Sequence, residues 1–222
     1  LRNALFFKFT RFSHLIMIPS AGIIVFGLLG LHDGRSGMVL TVLQAIATVL
    51  VLLLPCVIGM SLHMLIVARD WLPGLKIPIH TWLFGANKTW RGFIIGPPLC
   101  ILGAIPAVLL AQGLPLLHVL TLSPGVIVGF GLLMGLAYML FELPNSFLKR
   151  RLGVPPGGQS PRFALFFIAL DQIDSGIGQA VAAALFLNVP WPVAILTALM
   201  FPFVALAVKR GLFALRWKQS AV

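Results

Sequence analysis

Charge is what this 222-residue chain has least of: only 9% of its residues are Asp, Glu, Lys or Arg, while 59% are hydrophobic. Soluble domains carry about a quarter charged residues, so a soluble globular fold is excluded and an integral membrane protein is expected. Acidic residues are scarcer still, five against sixteen Lys and Arg, which leaves a net charge of +11. Such an excess points to nucleic acid, anionic lipid or membrane topology. Cysteine is nearly absent too. Cys56 and Cys100 lie in apolar runs with no Cys or His at ligand spacing, which speaks against a zinc site or a disulfide framework and for two small core hydrophobes. The five histidines, His14, His32, His63, His80 and His118, show no paired spacing, and no chemistry is assigned to them.

What is abundant is long apolar sequence. A membrane-crossing helix needs about 20 mostly apolar residues, and such runs fall near 15–31, 39–67, 92–111, 124–141, 166–187 and 192–208. The expected fold is therefore all-α and polytopic, with about six transmembrane helices forming one membrane domain over residues 1–222. The second run would be about 45 Å long as a helix, so it must tilt, kink at Pro55 or emerge into the interface. Ser123-Pro124 reads as an N-cap followed by proline at the first helical position. Arg2, Lys8 and Arg11 precede the first run, which is long and lacks a small-x-small cleavage site; a retained signal-anchor helix is expected rather than a cleaved leader. The chain opens on Leu1 rather than Met, so an incomplete N-terminus is expected.

The cations sort by side. All of the 16 Lys and Arg except Arg35 fall before the first run, between the second and third, between the fourth and fifth, or after the sixth. Under the positive-inside rule both termini and the two longer loops are cytoplasmic. Topology thus accounts for the excess charge, and nucleic acid is not needed as a partner.

Three stretches on that side carry polar chemistry. Asp171 and Asp174 are three residues apart inside an apolar run, so on a helix both carboxylates share a face. Charges in a membrane segment are expensive, which makes these two and Glu142 functional candidates; a carboxylate pair attracts a hard cation such as Mg²⁺ or Ca²⁺, or is neutralised by a nearby Lys or Arg. Residues 163–187 form either one continuous span or a re-entrant loop followed by a shorter helix. The second stretch runs from Phe141-Glu142 to Lys149-Arg150-Arg151. Asn145 reads there as the N-cap of a short helix closed by Gly153, and the basic cluster suits either a polyphosphate or lipid headgroups. The third, Gly85-Ala86-Asn87-Lys88-Thr89-Trp90-Arg91-Gly92, puts Lys, Arg and a hydroxyl at a helix start, where free N–H groups favour an anion; it lacks the Walker A spacing. Carboxylates for metal together with cations for phosphates are the components of metal-assisted phosphoryl or nucleotidyl transfer.

Asn87-Lys88-Thr89-Trp90-Arg91-Gly92, Asn145 through Gly153, and Leu170-Asp171-Gln172-Ile173-Asp174 resemble the three signature stretches of the CDP-archaeol synthase family, relatives of the CDP-diacylglycerol synthases. The likeness covers about residues 70–190, the expected catalytic region. It implies a membrane cytidylyltransferase of phospholipid biosynthesis that uses CTP and Mg²⁺, with a lipid phosphate as acceptor and pyrophosphate as by-product. On this resemblance Asp171, Asp174 and Glu142 would serve as metal ligands and, with Lys149, as the catalytic group. Lys88, Arg91, Lys149 and Arg150 would hold the triphosphate, and Asn87, Thr89, Asn145 and Ser146 would place nucleotide or substrate. Archaeal members show Gly-Asp where this chain has Phe141-Glu142, and Pro144 belongs with bacterial relatives; a bacterial or archaeal plasma membrane, with the site on its cytoplasmic side, is the expected location. A homodimer is left open. The rival readings are a small transporter or channel with Asp171 and Asp174 as intramembrane ion ligands, a CTP-dependent lipid kinase releasing CDP, and a catalytically altered partner protein.

Overall fold

The computed structural model describes residues 34–158 and 163–214. The chain divides into two units, 1–43 and 44–222. The first expected span, 15–31, lies outside the described residues. Six helices are described: α1 (Gly34–Ala68), α2 (Thr81–Phe84), α3 (Trp90–Ala111), α4 (Pro124–Arg151), α5 (Ala164–Phe186) and α6 (Trp191–Ala214). Single 3₁₀ turns occupy Pro73–Leu75 and Pro115–Leu117. Among the described residues there is no strand; one isolated bridge pairs Pro78 with Thr89.

Among the described residues four helical stretches are long and apolar enough to cross a membrane: Val42–Ala68, Trp90–Ala111, Pro124–Arg151 and Trp191–Ala214. The counterpart of the fifth expected span is α5, one continuous helix that carries Asp171 and Asp174 rather than a re-entrant loop followed by a shorter helix. Prolines sit inside α1, α3, α4 and α6 without ending them. Membrane helices tolerate this because neighbouring groups re-satisfy the freed carbonyls. The start of α4 is as expected, with Ser123 Oγ accepting from Val126 N at 3.2 Å and Pro124 in the first turn.

One local expectation is corrected. Asn145 does not cap a separate short helix, because α4 runs unbroken through Pro144 to Arg151. The Asn145 amide, instead of bonding the backbone at a helix start, reaches across to α5.

Small residues set how closely the helices approach, as in membrane proteins generally. A Cβ on Gly131 would lie 2.5 Å from Ile101 Cα of α3, and one on Gly178 of α5 would lie 2.5 Å from the Ala137 carbonyl of α4. Cys56 and Cys100 are buried and free, and Cys56 Sγ donates to the Met134 carbonyl at 3.3 Å. Large apolar side chains cover the outside, Phe203 being 72% exposed and Leu185 60%. Exposed apolar surface of this kind fits a lipid-facing or partner-facing exterior.

These contacts bring one end of several helices together. The C-terminal turns of α1, α4 and α6 meet the N-terminal halves of α3 and α5: His63 lies beside Gly92, Asn145 bonds Asp171, and Lys209 bonds Gln172. Every candidate site residue read from the sequence falls at this end.

Candidate functional site

The segment before α3 is shaped by backbone pairing. Ile79 N donates to Lys88 O and Trp90 N to Ile77 O, both at 2.9 Å, so residues 77–90 fold back around the single turn α2. Gly85 closes that turn with φ +87°, a conformation that favours glycine. A Cβ there would also lie 3.1 Å from Pro156 and 3.4 Å from Arg150 Cδ, so the loop leans on the end of α4. Ala86 and Asn87 form a turn, and Thr89 is extended at the head of α3. The Thr89 side chain makes no cap hydrogen bond; of the first N–H groups of α3, Trp90 N is taken by the Ile77 carbonyl and Gly92 N by the Thr89 carbonyl.

These residues line a cleft of about 660 Å³ shared by α1, α3 and α4. Its polar wall is Lys76, Asn87, Lys88, Thr89, Arg91, His63 and Glu142, and its apolar wall includes Met60, Met64 and Tyr138. The volume is that of a small-molecule site. Lys88 and Glu142 form an ion pair across it. Arg91, only 4% exposed, turns one guanidinium nitrogen toward the Asp70 carboxylate at 3.0 Å and the Trp71 carbonyl at 3.1 Å, and its Nε is buried without a partner. Lys76 reaches Asp70 from the other side at 3.1 Å. Hydrogen bonds from Lys76 and then Arg91 hold the Asp70 carboxyl below the usual carboxylate range. Asp70 and Leu72 both adopt positive φ, 48° and 58°. Such backbone persists where surrounding contacts over-determine it, and Asp70 supplies two of them.

The second half of the site lies between α4 and α5. Asn145 Nδ2 donates to Asp171 Oδ1 at 2.6 Å and to Asp174 Oδ2 at 2.8 Å. One amide thus ties the two carboxylates together, as their shared helical face requires. Lys149 Nζ lies 2.5 Å from both oxygens of Asp171. Asp174 is buried and accepts from Ser175 N at 2.6 Å and Ser175 Oγ at 3.1 Å.

Helix α4 joins the halves. Glu142, Asn145, Ser146 and Lys149 are spaced i, i+3, i+4, i+7 and form one polar stripe. Glu142 points to Lys88, Asn145 and Lys149 point to the carboxylate pair, and Ser146 is buried beside Asn145. The three consecutive cations separate. Lys149 joins Asp171; Arg151 donates to the Trp82 carbonyl at 2.6 Å and stacks 3.8 Å over its ring, clamping α2; Arg150 keeps Nε and Nη1 buried without partners. A buried guanidinium N–H left unpaired is costly, so Arg150 is poised for an anion.

The donors around Asp171 and Asp174 suit a hard cation. Asn145 Oδ1 is buried and unpaired beside them, and all three side chains offer oxygen. Among the described residues no group of three or more His, Cys, Asp or Glu converges, and Glu142 is engaged with Lys88. This set fits Mg²⁺, which takes one or two carboxylates and fills its remaining positions with water and substrate phosphate oxygens.

His63 and Tyr138 are the lining residues that the sequence did not single out. His63 Nε2 is buried without a partner. A lone His and a lone Tyr inside apolar runs carry no spacing signal, and only the helix packing brings them to the cleft.

The model of a family described as "CarS-like: CDP-archaeol synthase" matches residues 39–220. A CDP-archaeol synthase of Pyrobaculum arsenaticum is 31% identical over 139 residues, which cover 62% of this chain and 73% of that protein. No solved structure matches the chain.

Proposed function

The chain belongs to the CDP-archaeol synthase family, and on that premise we propose that it transfers CMP from CTP to the phosphate of a membrane lipid. It is a CTP-dependent cytidylyltransferase. The acceptor is a lipid phosphate, such as a phosphatidic acid, an ether-linked analogue or a polyprenyl phosphate. Its phosphate oxygen bonds to the α-phosphorus of CTP as the bond to pyrophosphate breaks, giving a CDP-activated lipid and pyrophosphate. No general base is required, because a phosphate monoester is already anionic near neutral pH.

The observation that carries this reading is the α4 stripe, which ties a cation-lined cleft to a carboxylate pair through Glu142, Asn145 and Lys149. In the cleft, Lys88 binds the polyphosphate, Arg150 reaches it from beside the Gly85 turn, Arg91 adds its charge from the buried side, and Asn87 and Thr89 hydrogen-bond nucleotide. Asn145 orients Asp171 and Asp174, and Lys149 neutralises Asp171 until substrate arrives. Asp171 and Asp174 would hold Mg²⁺, which would supply charge neutralisation for the phosphates. Preorganised cations and N–H groups then stabilise charge growing on the departing pyrophosphate. The site opens to the cytoplasm, where CTP is, in a six-span topology with both termini on that side, as the cation distribution requires.

The test is incubation of purified protein with labelled CTP, Mg²⁺ and a panel of phosphatidic, ether-linked and polyprenyl phosphates, with products read by mass. A CDP-lipid with one pyrophosphate per turnover is expected. Release of CDP would make the protein a lipid kinase, and no CTP consumption with any acceptor would sink the assignment.

A further inference from the structure

A second cavity, of about 50 Å³, lies between α1, α4 and α6. It shares Met60, Met64 and Tyr138 with the cleft, so the two adjoin across one layer of side chains. On α6 its wall is Phe201, Val204, Ala205 and Val208, one helical stripe, and that stripe ends in Lys209. The space excludes a nucleotide and is lined mainly by apolar side chains, which leaves hydrocarbon as the matching occupant.

Lys209 is the cation of this cavity, and its bonding differs from that of its counterparts. Lys76, Lys88, Arg91 and Lys149 each meet a carboxylate. Lys209 Nζ instead donates to a neutral amide, Gln172 Oε1, at 3.2 Å. Gln172 lies in the same helical turn of α5 as Asp171 and Asp174, so the ammonium is held to the turn that carries the carboxylate pair, and it makes no ion pair with a described carboxylate. An apolar crevice that adjoins the cleft and ends in such an ammonium, on helices long and apolar enough to cross a membrane, matches an anion carried on a hydrocarbon chain.

Resting on the cytidylyltransferase reading, we propose that Lys209 binds the phosphate monoester of the lipid acceptor, and that the α1/α6 crevice admits the first part of its hydrocarbon chain from the bilayer. Gln172 holds the ammonium in place until the phosphate replaces it. Lys209 is thus a substrate-binding residue for the acceptor and takes no part in holding CTP.

The experiment compares wild type, Lys209→Gln and Lys209→Arg in detergent micelles. The Gln variant should raise KM for lipid phosphate about 10- to 100-fold, the range for one hydrogen bond to a charged group, with KM for CTP changed less than about twofold, and the Arg variant should recover most of the loss. Retention of phosphatidic acid against diacylglycerol, read by native mass spectrometry without CTP, should favour the phosphate in wild type and lose that preference in Lys209→Gln. Ala205→Phe, which fills the crevice, should raise KM for the lipid alone and serves if the Lys209→Gln protein does not fold. Unchanged lipid KM and retention in Lys209→Gln and Ala205→Phe would overturn the proposal, as would displacement of the lipid by millimolar inorganic phosphate, which would show a site for free phosphate. If wild type transfers CMP to no lipid phosphate, the function reading fails, and the retention assay still decides the role of Lys209.

Discussion

The two halves of the site are built on different principles. In the carboxylate pair, Asp171 and Asp174 come from one helix and are tied by one amide of the helix before it. In the cleft, opposite charges meet from distant parts of the chain: Lys88 finds Glu142 54 residues away, and Arg91 finds Asp70 across 21. The first half is written in helical spacing, the second in the packing of α1, α3 and α4. Local spacing therefore places the proposed metal-binding half, and tertiary packing places the nucleotide half.

Breaking the pair should have the largest effect. Asp171→Asn or Asp174→Asn is expected to lower CMP transfer about 10³-fold, the upper range for removing one preorganised electrostatic group, while thermal unfolding stays near wild type. Retained turnover in either variant would refute the metal assignment. Next comes the contact that holds the two halves in register. Gly178 is four residues after Asp174 and presses α5 against Ala137 and Phe141 of α4. Gly178→Leu should destabilise the protein by about 1–3 kcal/mol, as overpacking does, and should cut transfer more than CTP binding, because it moves Asp174 away from Asn145. Equal losses in binding and transfer would show that the halves do not depend on this contact.

The cleft should respond more mildly. Lys88→Met is expected to raise KM for CTP about tenfold, one lost charge-assisted contact, and to leave Glu142 facing the cleft without its cation. Adding Glu142→Gln should return part of the loss, and a double-mutant cycle measures that coupling. Strict additivity would mean that the ion pair is incidental.

The smallest effect belongs to Asp70. Its carboxyl is held below the ordinary range by Lys76 and Arg91, so its contribution is fully present above the unfolded value and is lost as pH falls through the lowered one. Asp70 is half exposed, so solvent screens the gain. Amide protection over residues 69–76, relative to the intrinsic exchange rate at each pH, should fall in acid below the ordinary carboxylate range, and Asp70→Asn should show that lower protection at neutral pH, with KM for CTP raised no more than about threefold. Identical exchange in the variant and the wild type at pH 7 would remove Asp70 as the anchor of the segment.

Much of this was legible in the residues. The long apolar runs marked α1, α3, α4, α5 and α6, Ser123-Pro124 marked the start of α4, and the spacing of Asp171 and Asp174 placed both on one face. Asn145 was misread because its side chain is as well suited to a helix start as to a carboxylate, and only the position of α5 decides which it meets. Arg151 looked like one more phosphate-binding cation, yet its partners Trp82 and Phe147 hold the loop in place. The stripe Glu142, Asn145, Ser146 and Lys149 was present as a 3.6-residue period but was hidden by Pro144, which reads as a helix break. His63 and Lys209 carried no signal at all, since a lone His or Lys near the end of an apolar run has no pattern to belong to.

By itself the sequence determined a membrane protein with helices of set lengths, a basic end and a pair of carboxylates on one helical face, because hydropathy and helical period are properties of consecutive residues. Only the tertiary structure decided which cation meets which carboxylate, which buried nitrogens of Arg150 and Arg91 are left without partners, and that Lys209 bonds Gln172. Those choices depend on how closely glycines such as Gly131 and Gly178 let one helix approach another, and that distance is set by the whole packed bundle rather than by any stretch of chain.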